Sequence, residues 1–175
     1  MTNPPSSQEL SEQAKQLYEL GDFPAAANRF AEAAVSFGAA GDVLMAAEMK
    51  NNQSVALLRD KKAQAALEVV QGTEALFASA GDARREGMAL ANQASALEAL
   101  KRFKEAIDCF RQAAEALEKA GEDQMRLSVM QLLSMLFFRR FKFYDSVITL
   151  QSGLAGVKDP TPKQRFMKRL VFFHL

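Results

Sequence analysis

The sequence predicts an all-α chain of about four stacked pairs of antiparallel helices, and three observations predict it. Ala40-Gly41-Asp42, Ala80-Gly81-Asp82 and Ala120-Gly121-Glu122 recur every 40 residues. Shifting the chain by that period aligns residue types. Leu17, Leu57, Leu97 and Phe137 form a large column; Ala14, Ser54, Ala94 and Ser134 form a small one. Within the first unit Phe23, Ala26, Ala27, Phe30, Ala33, Ala34 and Phe37 follow the i, i+3, i+4, i+7 spacing of an amphipathic helix.

Each unit divides into two helices. Gly takes the left-handed conformation that closes a helix, and the acidic residue after it accepts from the free N–H groups of the next one. Gly21-Asp22 marks the turn inside the first unit; Lys61 and Lys101 stand at the same place later, so that turn does not require Gly everywhere. The second helices carry a small column, Ala26, Ala66, Ala106 and Ser146. Their large columns are Phe30, Val70, Phe110, Leu150 and Phe37, Phe77, Leu117, Val157. Small residues let facing helices approach, and large ones fill the space between hairpins. A lone hairpin cannot bury both faces, so stacking supplies the stability.

These units give hairpins over 8–40, 41–80, 81–120 and 121–157, a disordered leader over 1–7, and a Pro-marked linker with a basic-amphipathic helix over 158–175. Composition agrees: 49% hydrophobic and 25% charged residues describe a folded chain. The single cysteine, Cys109, excludes an internal disulfide and a thiolate zinc cluster. It reads as a small buried hydrophobe beside Phe110. His174 is the only histidine. No nucleophile, base or metal set falls at helical spacing, so no enzyme and no cofactor is expected. The N-terminus lacks the features of a signal peptide, which makes the cytoplasm the expected location.

The segment Ala94 to Leu97, with Lys101-Arg102-Phe103-Lys104-Glu105-Ala106-Ile107-Asp108-Cys109-Phe110 and Ala113, resembles the tetratricopeptide repeat family. The likeness runs over residues 8 to about 157. The usual family unit has 34 residues; the longer unit here resembles those of kinesin light chains, Leu-Gly-Asn polarity proteins and peptide-sensing bacterial regulators. The resemblance implies a right-handed α-solenoid, a superhelix coiled around an extended peptide; a C-terminal capping helix is expected because terminal repeats need a cap.

The same resemblance implies that first helices line a concave groove. Those positions are Ser11, Lys15 and Glu19; Glu48, Asn51, Asn52, Val55 and Arg59; Met88, Asn92, Ser95 and Glu98; and Gln131, Leu132, Met135 and Phe138. Asn52-Gln53 and Asn92-Gln93 recur one period apart, and an amide can either grip a peptide backbone or bridge neighbouring helices. In the long-unit relatives an Asn at this place contacts the peptide. Lys15 and Asn52 fit the carboxylate clamp of chaperone-binding members, but Met88 and Asn92 stand where that clamp needs Lys and Arg.

Charge is uneven. Residues 126–175 carry nine Lys/Arg against two Asp/Glu, net +7, while residues 1–125 carry −6. The basic part lacks a nucleic-acid-reading motif, and no nucleic-acid partner is expected. The run 127–138 is apolar nearly all round and too short to span a membrane. Its Leu132, Met135 and Phe138 need cover, and the helix after Thr161-Pro162 is the candidate. Phe166, Leu170 and Phe173 form a stripe on that helix, with Met167 and Val171 beside it. It reads as a cap, as a membrane-surface or dimer contact, or as the start of a fifth unit. The leading expectation is a scaffold for an unidentified protein or peptide; the alternative is a homo-oligomer assembled through the fourth unit and tail.

Overall fold

The computed structural model describes residues 5–172, without the side chains of Leu170 and Phe172. The described residues form helices joined by turns. They are α1 (Ser7–Glu19), α2 (Phe23–Ala39), α3 (Val43–Arg59), α4 (Ala63–Val70), α5 (Thr73–Ser79), α6 (Ala83–Ala99), α7 (Phe103–Lys119), α8 (Asp123–Arg139), α9 (Phe143–Ala155) and α10 (Pro162–Phe172). Helices pack consecutively: α1 on α2, α3 on α4 and α5, α6 on α7, and α8 on α9. Between these pairs α2 meets α3, α4 and α5 meet α6, and α7 meets α8. Residues 1–4 of the expected leader lie outside the described residues. The first helix begins at Ser7, and Ser6 caps it in a reciprocal box with Glu9. The Ser6 N–H and hydroxyl hold the Glu9 carboxyl below its ordinary pKa.

The small columns lie where the helices come closest. Ala14, Ser54, Ala94, Ala26, Ala66 and Ala106 are fully buried, and Ser134 and Ser146 nearly so. Where serine replaces alanine, its hydroxyl gains a partner across the hairpin. Ser54 Oγ donates to the Ala66 carbonyl at 2.9 Å, and Ser134 Oγ to the Ser146 carbonyl at 2.9 Å. The two columns face each other, and the hydrogen bond lets a polar atom sit in the seam.

The turns also follow local chemistry. Gly21, Gly41, Gly81 and Gly121 all take positive φ. So do Lys61, Lys101 and Phe141, the inner-turn residues of the later units. Asp22, Asp42 and Asp82 accept from Ala25, Met45 and Arg85 N–H at 2.9–3.1 Å. Glu122 makes no cap bond; its carboxylate pairs with Arg84 at 3.0 Å instead.

One element departs from the expected pairs. The second helix of the second unit breaks at Gln71-Gly72, where Gly72 has φ +86°. Thr73 Oγ1 caps the broken end by donating to the Val70 carbonyl at 2.7 Å, and it accepts from Asn51 Nδ2 at 3.1 Å. The resulting α5 packs on α3 and α6 and buries Phe77 against Ala47 and Ala89. The equivalent residues Glu32 and Gln112 are helix formers, and their helices run unbroken.

The C-terminal helix also corrects an expectation. Thr161 and Gln164 form its capping box, as the sequence suggests. The helix does not cover Leu132, Met135 or Phe138, which stay exposed. It packs on α9 and seats Met167 against Leu127, Leu154 and Val157. Gln164 Nε2 donates to Gln124 Oε1 at 3.0 Å, one period away. Thus α10 lies on α9 as each earlier first helix lies on the second helix before it. Leu132 and Met135 share columns with Asn52, Asn92, Val55 and Ser95, which are half-buried in the earlier units.

Candidate functional site: two clefts along the first helices

Successive first helices leave a gap where their inner faces diverge. A cleft of about 280 Å³ lies between α1 and α3, lined by Lys15, Tyr18, Glu19, Phe30, Asn52 and Val55. A second, of about 270 Å³, is lined by Glu48, Asn51, Asn52, Val55, Phe77, Arg84, Arg85, Met88 and Asn92. Asn52 and Val55 line both. Eight of the sequence-assigned groove positions come together here: Lys15, Glu19, Glu48, Asn51, Asn52, Val55, Met88 and Asn92.

The adjacent amides Asn51 and Asn52 have different surroundings. Asn51 is 6% exposed, and its Nδ2 donates to the Ala47 carbonyl at 3.0 Å and to Thr73 Oγ1. Asn92 Nδ2 points to Asn51 Oδ1 at 3.4 Å, a long bond. Asn51 therefore fastens α3 to α5 and α6. Asn52, one residue and about 100° further round the helix, faces both clefts. The recurring pair Asn52 and Asn92 consequently sits in two environments, because the partner of Asn92 is an Asn that the first unit lacks.

Charge in the second cleft is tied across elements. Arg85 Nε lies 3.1 Å from Glu48 Oε2 and 3.5 Å from Asp82, with its guanidinium 6.0 Å from the Phe77 ring centre. These contacts hold both Arg85 and Glu48 in one orientation at the cleft wall, half shielded from water. Lys15 pairs with Glu12 at 3.7 Å in solvent, a weak contact that leaves its charge available. The wall therefore offers an amide with a donor and an acceptor, apolar Val55 and Met88, and fixed charges of both signs.

The other assigned residues stand apart from these two clefts. Arg59 lies over the Phe23 ring at 5.0 Å, and the Ser95 hydroxyl donates to its own helix at Ala91. Glu98 pairs with Arg139. Ser11 is buried. Gln131 is half-buried on α8, with Leu132, Met135 and Phe138 exposed along the same helix. On the tail Phe166 is exposed, while the side chain of Leu170 and the whole of Phe173 lie outside the described residues. Sequence reasoning missed Tyr18, Phe77, Arg84 and Arg85. The signal for Phe77 was Gly72-Thr73, whose break turns α5 toward the cleft; Arg84 and Arg85 stand in the first turn of α6.

Cys109 is half-buried rather than fully enclosed, and it lines a separate polar cleft with Gln71, Gln93 and Asp108. Burial first, then Glu74, Asp108 and Glu105, raises its thiol pKa. Its alkylation by iodoacetamide at neutral pH is therefore expected to be several-fold slower than that of free cysteine. A rate equal to the free amino acid would show that the site opens. Among the described residues no cluster of three or more His, Cys, Asp or Glu gathers for a metal, and no helix is long and apolar enough to cross a membrane.

Compared with known proteins, the chain matches no family profile and no curated sequence.

Proposed function

We propose that the chain is a non-enzymatic helical-repeat scaffold of the tetratricopeptide type that holds an extended peptide or protein segment along the two first-helix clefts. What carries this reading is their continuity: Asn52 and Val55 belong to both walls, so one ligand strand can pass from α1 across α3 to α6. The Asn52 amide bonds a peptide N–H and C=O together, whatever the ligand's side chains. Val55 and Met88 supply apolar contact, and Lys15, only weakly paired with Glu12, offers a cation to an acidic ligand residue.

Replacing Asn52 with Ala tests the proposal, because this amide is not part of the Asn51–Thr73 fastening. The partner captured from native lysate by the wild type is expected to bind the Asn52→Ala protein about three- to tenfold more weakly, as one or two lost hydrogen bonds dictate. Helicity and melting should match the wild type. Equal affinity, measured by calorimetric titration, would remove the clefts from the binding site.

A further inference from the structure

The α8–α10 region beyond the clefts carries aromatic side chains that remain exposed. At the inner turns the period places Gly21, Lys61, Lys101 and Phe141 in one column. Phe141 takes φ +58° and is 82% exposed at the tip between α8 and α9. A left-handed aromatic residue is conformationally costly, and glycine or lysine serves the same turn elsewhere in this chain. Phe143 stacks edge-on to it at 6.1 Å, and Phe138 meets Phe143 at 5.3 Å. Tyr144 beside them is 71% exposed.

The apolar surface continues along α9 through exposed Val147 and Ile148 to α10. Gln151 Nε2 donates to the Val171 carbonyl at 2.7 Å, which brings the end of α10 to the middle of α9, one turn from those two residues. The solvent side of α10 presents Phe166 between Arg165 and Arg169, all exposed. Cations frame the patch at the tip as well: Arg140 lies over Phe103, and Lys142 lies 5.9 Å from the Phe137 ring centre. Two carboxylates, Asp145 and Asp159, are the only acids in residues 126–175, against nine cations.

We propose that this end is a docking surface for an anionic lipid bilayer. Aromatic rings settle at the headgroup boundary, and Lys and Arg keep their charge in water while their stems lie along apolar surface. Anionic headgroups then meet a face of net positive charge. A second copy fits less well. Symmetric pairing would bring two ends of +7 together. Head-to-tail pairing on α1 would match charge but would set the aromatic rings against exposed polar residues, Gln8, Glu9, Glu12, Gln13 and Gln16, which give them no apolar cover. A helix from an acidic protein would lie along α9 but would leave the protruding Phe141 unused. The surface is separate from the clefts, so their reading and this one stand or fall independently.

The test is co-sedimentation of the full chain with phosphatidylcholine vesicles, with and without phosphatidylserine. Binding is expected only to the anionic vesicles, and added salt should weaken it. Phe141→Gly restores the residue of the first unit's turn, so it should melt no lower than the wild type. It should bind anionic vesicles at least about tenfold more weakly. Lys142→Ala should cost about fivefold, the equivalent of about 1 kcal/mol per surface cation. Absence of binding, or Phe141→Gly binding at wild-type strength, overturns the proposal. A lipid-free dimer in sedimentation that Phe141→Gly dissolves assigns the surface to a second copy instead. Capture of soluble poly-glutamate with the same Phe141 dependence, but no vesicle binding, assigns it to an acidic protein.

Discussion

Phe110→Ala lowers stability by about 3–5 kcal/mol, the usual cost of truncating a fully buried aromatic residue. Phe110 is 0% exposed on α7, in the column that also holds Phe30 and Val70. Its ring belongs to the continuous core that joins the α6–α7 pair to the pairs on either side. Neighbouring Ala106, Ala113 and Ala114 are too small to reach into the vacated space, so a cavity remains. Urea unfolding followed by circular dichroism measures the loss as a lower midpoint. At about 2–4 °C per kcal/mol for a chain of this size, the melting temperature should fall by about 6–20 °C. A loss below about 1 kcal/mol would mean that the stacked pairs collapse around the vacancy, contrary to the packing described. A midpoint shift accompanied by a smaller slope would show that the array no longer unfolds as one unit.

Thr73→Val costs about 1–3 kcal/mol although it conserves shape. The hydroxyl is buried and makes two hydrogen bonds: it donates to Val70 and accepts from Asn51. Valine leaves the Val70 carbonyl and one Asn51 proton without partners in a place that water does not reach. Asn51 keeps its bond to Ala47, which limits the damage to one side of the amide. The expected signature is local as well as global: amide exchange along α5 should accelerate more than along α7. Wild-type stability with unchanged exchange would show that Gly72 alone sets the break and that the Asn51–Thr73 bond contributes nothing. Because α5 delivers Phe77 to the second cleft, the substitution is also expected to loosen that wall.

The difference between these two sites explains what could be read from residues alone. Phe110 was legible because its role repeats: a large residue recurring every 40 positions, between small ones, has the same neighbours in each unit. Gly72 and Thr73 have no counterpart in the other units, where Glu32 and Ala33, or Gln112 and Ala113, continue the helix. Periodic alignment averages away a feature that occurs once. The groove residues fall between these cases. Their helices were legible, but Asn51 and Asn52 differ only by rotation about the axis of α3. What sets Asn51 apart is its bond to Thr73, which arrives from 22 residues away.

The tail follows the same division. Thr161 as cap and Pro162 at the start of α10 are local chemistry, and both were legible. The surface that α10 covers was not, because the apolar run of α8 offered two faces and the sequence does not state which one a later helix can reach. By itself the amino-acid order determined the 40-residue period, the helix ends, the left-handed turns and the seam of small residues. Each follows from backbone conformation or from spacing along one helix. Only the tertiary structure decided where α5 turns, which asparagine faces the clefts, and which aromatic residues at the α9–α10 end remain uncovered. Those outcomes depend on contacts between segments far apart in the chain, where a modest rotation of one helix exchanges a buried side chain for an exposed one.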